Sequence, residues 1–287
     1  MKRIGFAISL LFFIVLFRSC PLPASGVAPE SPAISREDML VPASASLTEQ
    51  PSASASLRVG EKLVYTLTWG VVPAGTAILE VDSLVRWDGV DCYWVKITTR
   101  TNSFLDNIHK VRDSIGSLIE TSLKRSQYYR KKQEEGSFRR DDELVIDYRR
   151  EMAILNRGGK LKNTMKIRQD EDLLDPFGVL YYVRGMNLRV GDQINARVTD
   201  GMAMYLMQIN VLKRERVKAW TGYYDCLKIE PKMQKLEGVF NKKVNAKLHI
   251  WVTNDHLKIP VKMQSEIFLG SIQGLLKEVH GPEGAVR

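Results

Sequence analysis

The sequence predicts a mainly β protein: a single antiparallel β domain with one short helix packed on its sheet. Three observations carry that prediction. Apolar and polar residues alternate at period two in several stretches, as they do in strands with one buried and one wetter face. Turn-forming pairs such as Asp88-Gly89, Gly158-Gly159 and Asn254-Asp255 punctuate those stretches. One segment, beginning at Asp175, changes to a helical period.

The first residues belong to a different kind of segment. Lys2 and Arg3 precede a fourteen-residue apolar run from Ile4 to Phe17. A bilayer span takes about 20 residues, so residues 1–26 are expected to be a signal peptide. Two fates stand open at its end. Small residues at Ala24-Ser25-Gly26 permit cleavage before Val27, whereas Cys20 after Ser19 offers a site for lipidation, with Arg18 a poor neighbour for it. Residues 27–57 are dominated by Ala, Ser, Pro and Glu, too little apolar surface to offset the entropy of ordering. They are expected to form a disordered tether. Residues 58–280 then make the β-rich domain, and 281–287 a flexible tail.

Loss of Lys2, Arg3 and Arg18 with the signal lowers the formal net charge from +9 to +6. That charge suits an anionic surface or polymer, and equally an ordinary soluble domain. Export makes nucleic acid an unexpected partner and leaves membrane contact to a lipid anchor. Oligomeric state is not legible.

Within the domain, Leu63, Tyr65, Leu67 and Trp69 alternate with polar or β-branched neighbours, and Val71 to Gly75 reads as a turn. Thr76–Val81 and Tyr93–Thr101 follow as strands of a meander. Further alternation runs through Leu144–Tyr148, Tyr205–Val211, Val244–Val252 and Ile259–Met263. About ten strands are expected. The helix begins with Asp175 as its cap and Pro176 at its first position. Leu174 and Val179 stand where a hydrophobic staple closes. Phe177, Leu180, Tyr181 and Arg184 share one face, and Gly185 stops the helix.

Signals of chemistry are sparse. The four histidines lack metal-ligand spacing, there is no CxxC pair, and no metal or cofactor is expected. No GxSxG is present, Gly158-Gly159-Lys160 reads as a hairpin turn, and no catalytic residue is assigned. Asp113, Asp175 and Asp255 read as a strand-end charge, a helix cap and a turn residue. Cys92 and Cys226 remain after export, either as a disulfide or as two buried thiols. Lys124–Arg140, with seven basic residues, reads as a solvated hairpin with Glu134-Glu135-Gly136 at its tip. Trp251 shares a strand phase with His249, on the wetter side, where it lines a groove or lies covered.

Gly60-Glu61-Lys62-Leu63-Val64-Tyr65, Trp69-Gly70 and Ala74-Gly75 resemble the opening of the DUF3108 family. The later landmarks are similar too: Asp175-Pro176-Phe177 through Arg184, Gly222 through Ile229, and Ile250 through Asp255 before Ile259-Pro260-Val261. The resemblance covers roughly Leu57 to Val279. It implies an exported protein of Gram-negative bacteria, periplasmic or anchored at the outer membrane, without assigned catalytic residues. It also implies a curved antiparallel sheet or half-open β-barrel with the short helix in its concavity. A concave sheet suits an amphiphile, and Trp69, Tyr181, Arg184 and Trp251 are the candidates for lining it. The expected function is non-enzymatic binding or carriage of a lipid, lipoprotein or glycan fragment. The alternatives are an envelope hydrolase with carboxylates in an open cleft, and a structural or assembly partner using a sheet edge.

Overall fold

The computed structural model describes residues 57–235, 247–267 and 270–281. The signal peptide, Cys20, the tether up to residue 56, the tail after Gly281 and two residues of one expected strand, Val244 and Ala246, lie outside the described residues. Leu57, where the tether was expected to end, is buried in the core.

The first arm of the fold is a meander of eight strands. They are β1 (Lys62–Trp69), β2 (Val72–Trp87), β3 (Val90–Thr101), β4 (Arg112–Glu120), β5 (Ser126–Glu135), β6 (Phe138–Asp147), β7 (Met152–Arg157) and β8 (Lys160–Lys166). The second arm holds β9 (Leu173–Leu174), β10 (Gln193–Thr199), β11 (Met204–Ala219), β12 (Gly222–Lys235), β13 (Leu248–Thr253), β14 (Pro260–Ile267) and β15 (Gly270–His280). Two short helices, α1 (Ser103–His109) and α2 (Gly178–Arg184), complete the described elements. The arms join where β1 pairs antiparallel with β15, giving one sheet that runs from β8 through β1 and β15 to β9. All neighbours pair antiparallel except β9 with β10.

The sheet does not close, because β8 and β9 do not pair. Its open side is bridged by a loop instead. Asn163 on β8 donates its side-chain amide to the Gly201 carbonyl at 2.8 Å. Gly201 takes a positive φ there, and a side chain on it would collide with Leu155. The expected single curved sheet with a helix in its hollow is therefore the observed architecture. Both edges are blunted: β9 has two residues, and β8 carries Lys160, Lys162 and Lys166.

Three local expectations differ from the fold. The turn expected over Val71–Gly75 is shorter, since β2 already begins at Val72. The strand count exceeds ten because β5, β6 and β8 carry polar residues on both faces, which erases the period-two signal. For the same reason the Lys124–Arg140 hairpin is not simply solvated. On β5, Gln127, Tyr129, Lys131, Gln133 and Glu135 are all buried and face inward. Asp142 stands directly across from Lys131 on β6 and pairs with Arg157; burial disfavours the Lys131 ammonium, and the Asp142 and Asp200 charges partly offset that.

Candidate functional site

α2 is held in the concavity by a polar knot at each end. At its start, the fully buried Asp175 carboxylate accepts the backbone N–H of Phe177 at 2.7 Å and of Gly178 at 2.9 Å. It also accepts the Ser117 hydroxyl from β4, while the Asp175 backbone N–H donates to the Ser126 hydroxyl oxygen at 3.0 Å. Regular helix starts at Gly178, after a leading turn through Pro176 and Phe177. Asp175 thus takes up leading N–H groups as a cap does, but the N-cap position is Phe177 and the helix begins two residues later than the expected start at Pro176. A side chain at position 178 would meet the Ser126 hydroxyl at 2.7 Å, so only glycine fits. Leu174 and Val179 share one apolar cluster, as a staple requires.

At the other end Arg184 forms a bidentate pair with Glu61, at 2.6 and 2.9 Å, and its Nε donates to the Leu257 carbonyl. Both side chains are almost wholly buried. The guanidinium lies 5.6 Å from the centroid of the Tyr181 ring, which packs edge-on against Phe177. Arg184 and Tyr181 thus fix the helix to the first arm; neither lines a groove, contrary to the expectation. Among the described residues the buried Tyr181 hydroxyl has no hydrogen-bond partner. An unmet buried hydroxyl costs about 1–3 kcal/mol, so Tyr181→Phe is expected to raise the urea midpoint or leave it unchanged, by up to about 1 kcal/mol in stability. A clear loss of stability in that variant would contradict an unmet hydroxyl.

The opposite face of α2 forms the wall of a groove. Val179, Leu180 and Val183 face Ile209, Ile229 and Ile250 across it, and all thirteen lining residues among those described are apolar. The cavity volume is about 40 Å³, within about 590 Å³ of unfilled space that includes the open mouth. The groove is a narrow slot shaped for something thin. No single residue in the sequence announces it, because its lining is ordinary strand and helix core. The signal was the coincidence of a helical period with a β sheet.

The remaining sequence candidates lie elsewhere. Trp69 is half-buried at the end of β1 and packs on the core beside Gly270. Trp251 is on the outer face, the wetter phase of its strand, so it does not line the concavity as expected; Ile250, of opposite phase, does. Trp251 is buried there, with Lys228 and Lys262 over its ring and its indole N–H donating to Glu215 of β11 at 2.6 Å. Cys92 and Cys226 are two free, buried thiols, each pushed up to about 12 chiefly by burial. The two do not form a disulfide in this structure, where they lie on β3 and β12, six strands apart along the sheet.

One pair of carboxyls does converge. Burial and the neighbouring Glu135 push the Asp113 carboxyl up to about 8, and the two share a side-chain hydrogen bond. That proximity is too close for glycoside chemistry, which holds its carboxyls about 5–10 Å apart. The consequence is one of stability. An unfolded aspartate loses its proton near pH 4, while folded Asp113 retains it to about 8. Stability is therefore expected to fall as pH rises between those values and to level off above. Asp113→Asn should flatten that slope in urea midpoints measured from about pH 5 to 9; an unchanged slope would remove Asp113 as its source.

Comparison with known proteins agrees with this geometry. A family model described as a protein of unknown function, DUF3108, matches residues 64–277. The crystal structure of a β-barrel-like protein of the DUF1849 domain from Brucella abortus is similar, with a TM-score of 0.54 at 11 % identity over 79 % of this chain and 99 % of that one. A Bacteroides fragilis protein described as exported, with a YmcC-like fold, aligns over 77 % of this chain and 96 % of its own at 6 % identity and a TM-score of 0.32. A Parabacteroides distasonis protein described as a lipoprotein aligns over 80 % and 100 % at 8 % identity and 0.33. The first likeness establishes the β-barrel-like fold. No curated protein sequence matches.

Proposed function

The chain belongs to the DUF3108 family, and on that premise we propose that it is a non-enzymatic binding or carrier module of the cell envelope whose groove takes an acyl chain of a lipid or lipoprotein. The observation that carries this reading is the wholly apolar lining between α2 and the second arm. Open apolar surface is costly in water, and each buried methylene contributes about 0.8 kcal/mol. A narrow slot without hydrogen-bonding side chains offers a chain of methylenes all it needs. It offers a glycan fragment nothing, because sugar hydroxyls need donors and acceptors. The lipid side of the expectation is therefore the one retained. Envelope placement rests on the signal-like residues 1–26.

The assembly-partner alternative loses ground at the sheet edges, where three lysines and a two-residue strand discourage strand addition. The paired-carboxylate hydrolase loses ground at Asp113 and Glu135, as argued above.

The test is native mass spectrometry with lipid extraction on protein purified gently from envelope fractions. A co-purifying lipid, released on denaturation and absent from a folded Ile250→Glu variant, is the expected result. Ile250 is half-buried in the groove wall, so a carboxylate there blocks the slot at modest cost to the core. A clean apo mass, together with failure of the delipidated protein to take up a fluorescent fatty acid, would overturn the reading.

A further inference from the structure

On the outer face of the sheet, away from the groove, four strands set one cross-strand row. Lys213 stands opposite Lys228, Lys228 opposite Trp251, and Trp251 opposite Lys262. Like charges directly opposite one another destabilise a sheet. The Lys228 and Lys262 ammonium groups stand 4.9 and 4.5 Å from the centre of the Trp251 ring. Among the described residues, neither forms an ion pair with a carboxylate within 4.0 Å. Glu215 is the acid nearest the row, and both its oxygens are committed, one to the indole N–H and the other to Lys213 at 2.7 Å. Burial holds Lys262 below the ordinary lysine range. Among the described residues the Trp251 ring is the close partner of both ammonium groups, and a ring face attracts a cation without supplying a counter-charge.

The far end of the β11–β12 hairpin folds over this row and is tied down by the Trp220 N–H, which donates to the Leu276 carbonyl. Between hairpin and sheet lies a cleft of about 420 Å³, within the usual range for small-molecule sites. Lys262 and Trp251 form part of its floor, Glu215, held by Trp251 and Lys213, and Arg216 and Lys218, stacked on Tyr223, belong to the hairpin wall, and Gln273 supplies an amide beside the apolar Leu275.

We propose that this cleft binds a phosphate-type oxyanion carried on a sugar- or polyol-sized group. Lysine is a compact point charge suited to phosphate, and a dianion beside Lys262 on the cleft floor gives that half-buried ammonium a counter-charge. Gln273 is placed to meet a hydroxyl of the attached group. The site lies on the other face of the sheet from the acyl groove, so it stands or falls independently of the function proposed above. The same chemistry is offered by a free sugar phosphate and by a phosphomonoester lipid headgroup.

The test is calorimetric titration of the purified protein with glucose 6-phosphate, inorganic phosphate and glucose. Glucose 6-phosphate is expected to bind and glucose to give no heat. Lys262→Gln should weaken binding about tenfold or more, as loss of a charged contact does, with thermal stability unchanged or improved. Ile250→Glu in the groove should leave it unaltered. Co-sedimentation with phosphatidylcholine vesicles containing phosphatidic acid, lost in Lys262→Gln, identifies a headgroup as the source; binding of the soluble phosphate alone identifies a free ligand. No heat with either phosphate at millimolar concentration, or an affinity in Lys262→Gln equal to that of the parent protein, overturns the proposal.

Discussion

Glu61→Ala is expected to lower the unfolding free energy by about 3–5 kcal/mol, the usual cost of stripping one member from a buried ion pair. The partner left behind is Arg184, which is 2 % exposed and cannot shed its proton. Its two guanidinium bonds to Glu61 vanish, and only the Nε contact with the Leu257 carbonyl remains. Glu61→Gln keeps one acceptor and should cost less. The double change Glu61→Leu with Arg184→Met should recover most of the loss, because a well-packed apolar pair can match a buried ionic one. Urea unfolding of the three variants measures this directly. A Glu61→Ala protein as stable as the parent would mean that Arg184 reaches water, and that α2 is not clamped at its C-terminal end.

That clamp joins residues 123 positions apart, which explains why sequence reading missed it. Arg184 was visible as the polar end of an apolar helix face, and Glu61 only as part of a strand-opening motif. Nothing local says that one neutralises the other. Features written in short-range periodicity fared better. The alternation of Leu63, Tyr65 and Leu67 became β1, whose three residues are all buried. The phase of Trp251 placed it on the wetter side of its strand, but that side is the outer face, and the groove is lined by Ile250 of the opposite phase. What the phase could not show is that the hairpin end between Lys213 and Asp225 folds over Trp251, since that depends on β11 and β12 being long enough to overhang β13. The inward polar row of β5 was illegible for the opposite reason. Buried Lys131, Gln133 and Glu135 look like solvated residues until Asp142 and Asp113 are placed across from them.

The second large effect is expected at the other end of the same helix, where structure and the acyl-binding reading meet. Asp175→Ala removes the acceptor of two backbone N–H groups and of the Ser117 hydroxyl, all buried. Loss of a cap costs about 1 kcal/mol and unmet buried donors about 1–3 kcal/mol, so a loss of about 3 kcal/mol is expected. Asp175→Asn keeps the oxygen that serves Phe177 and Gly178 and should fall between the two. Burial pushes the Asp175 carboxyl up, while its hydrogen bonds pull it back; these variants therefore need comparison at one fixed pH. Val179, Leu180 and Val183 reach the groove only because this cap fixes where α2 begins. Uptake of a fluorescent fatty acid by folded Asp175→Asn should accordingly weaken more than its modest stability loss alone would produce. Undiminished uptake would show that the groove wall does not depend on the cap, and would detach α2 from the binding function.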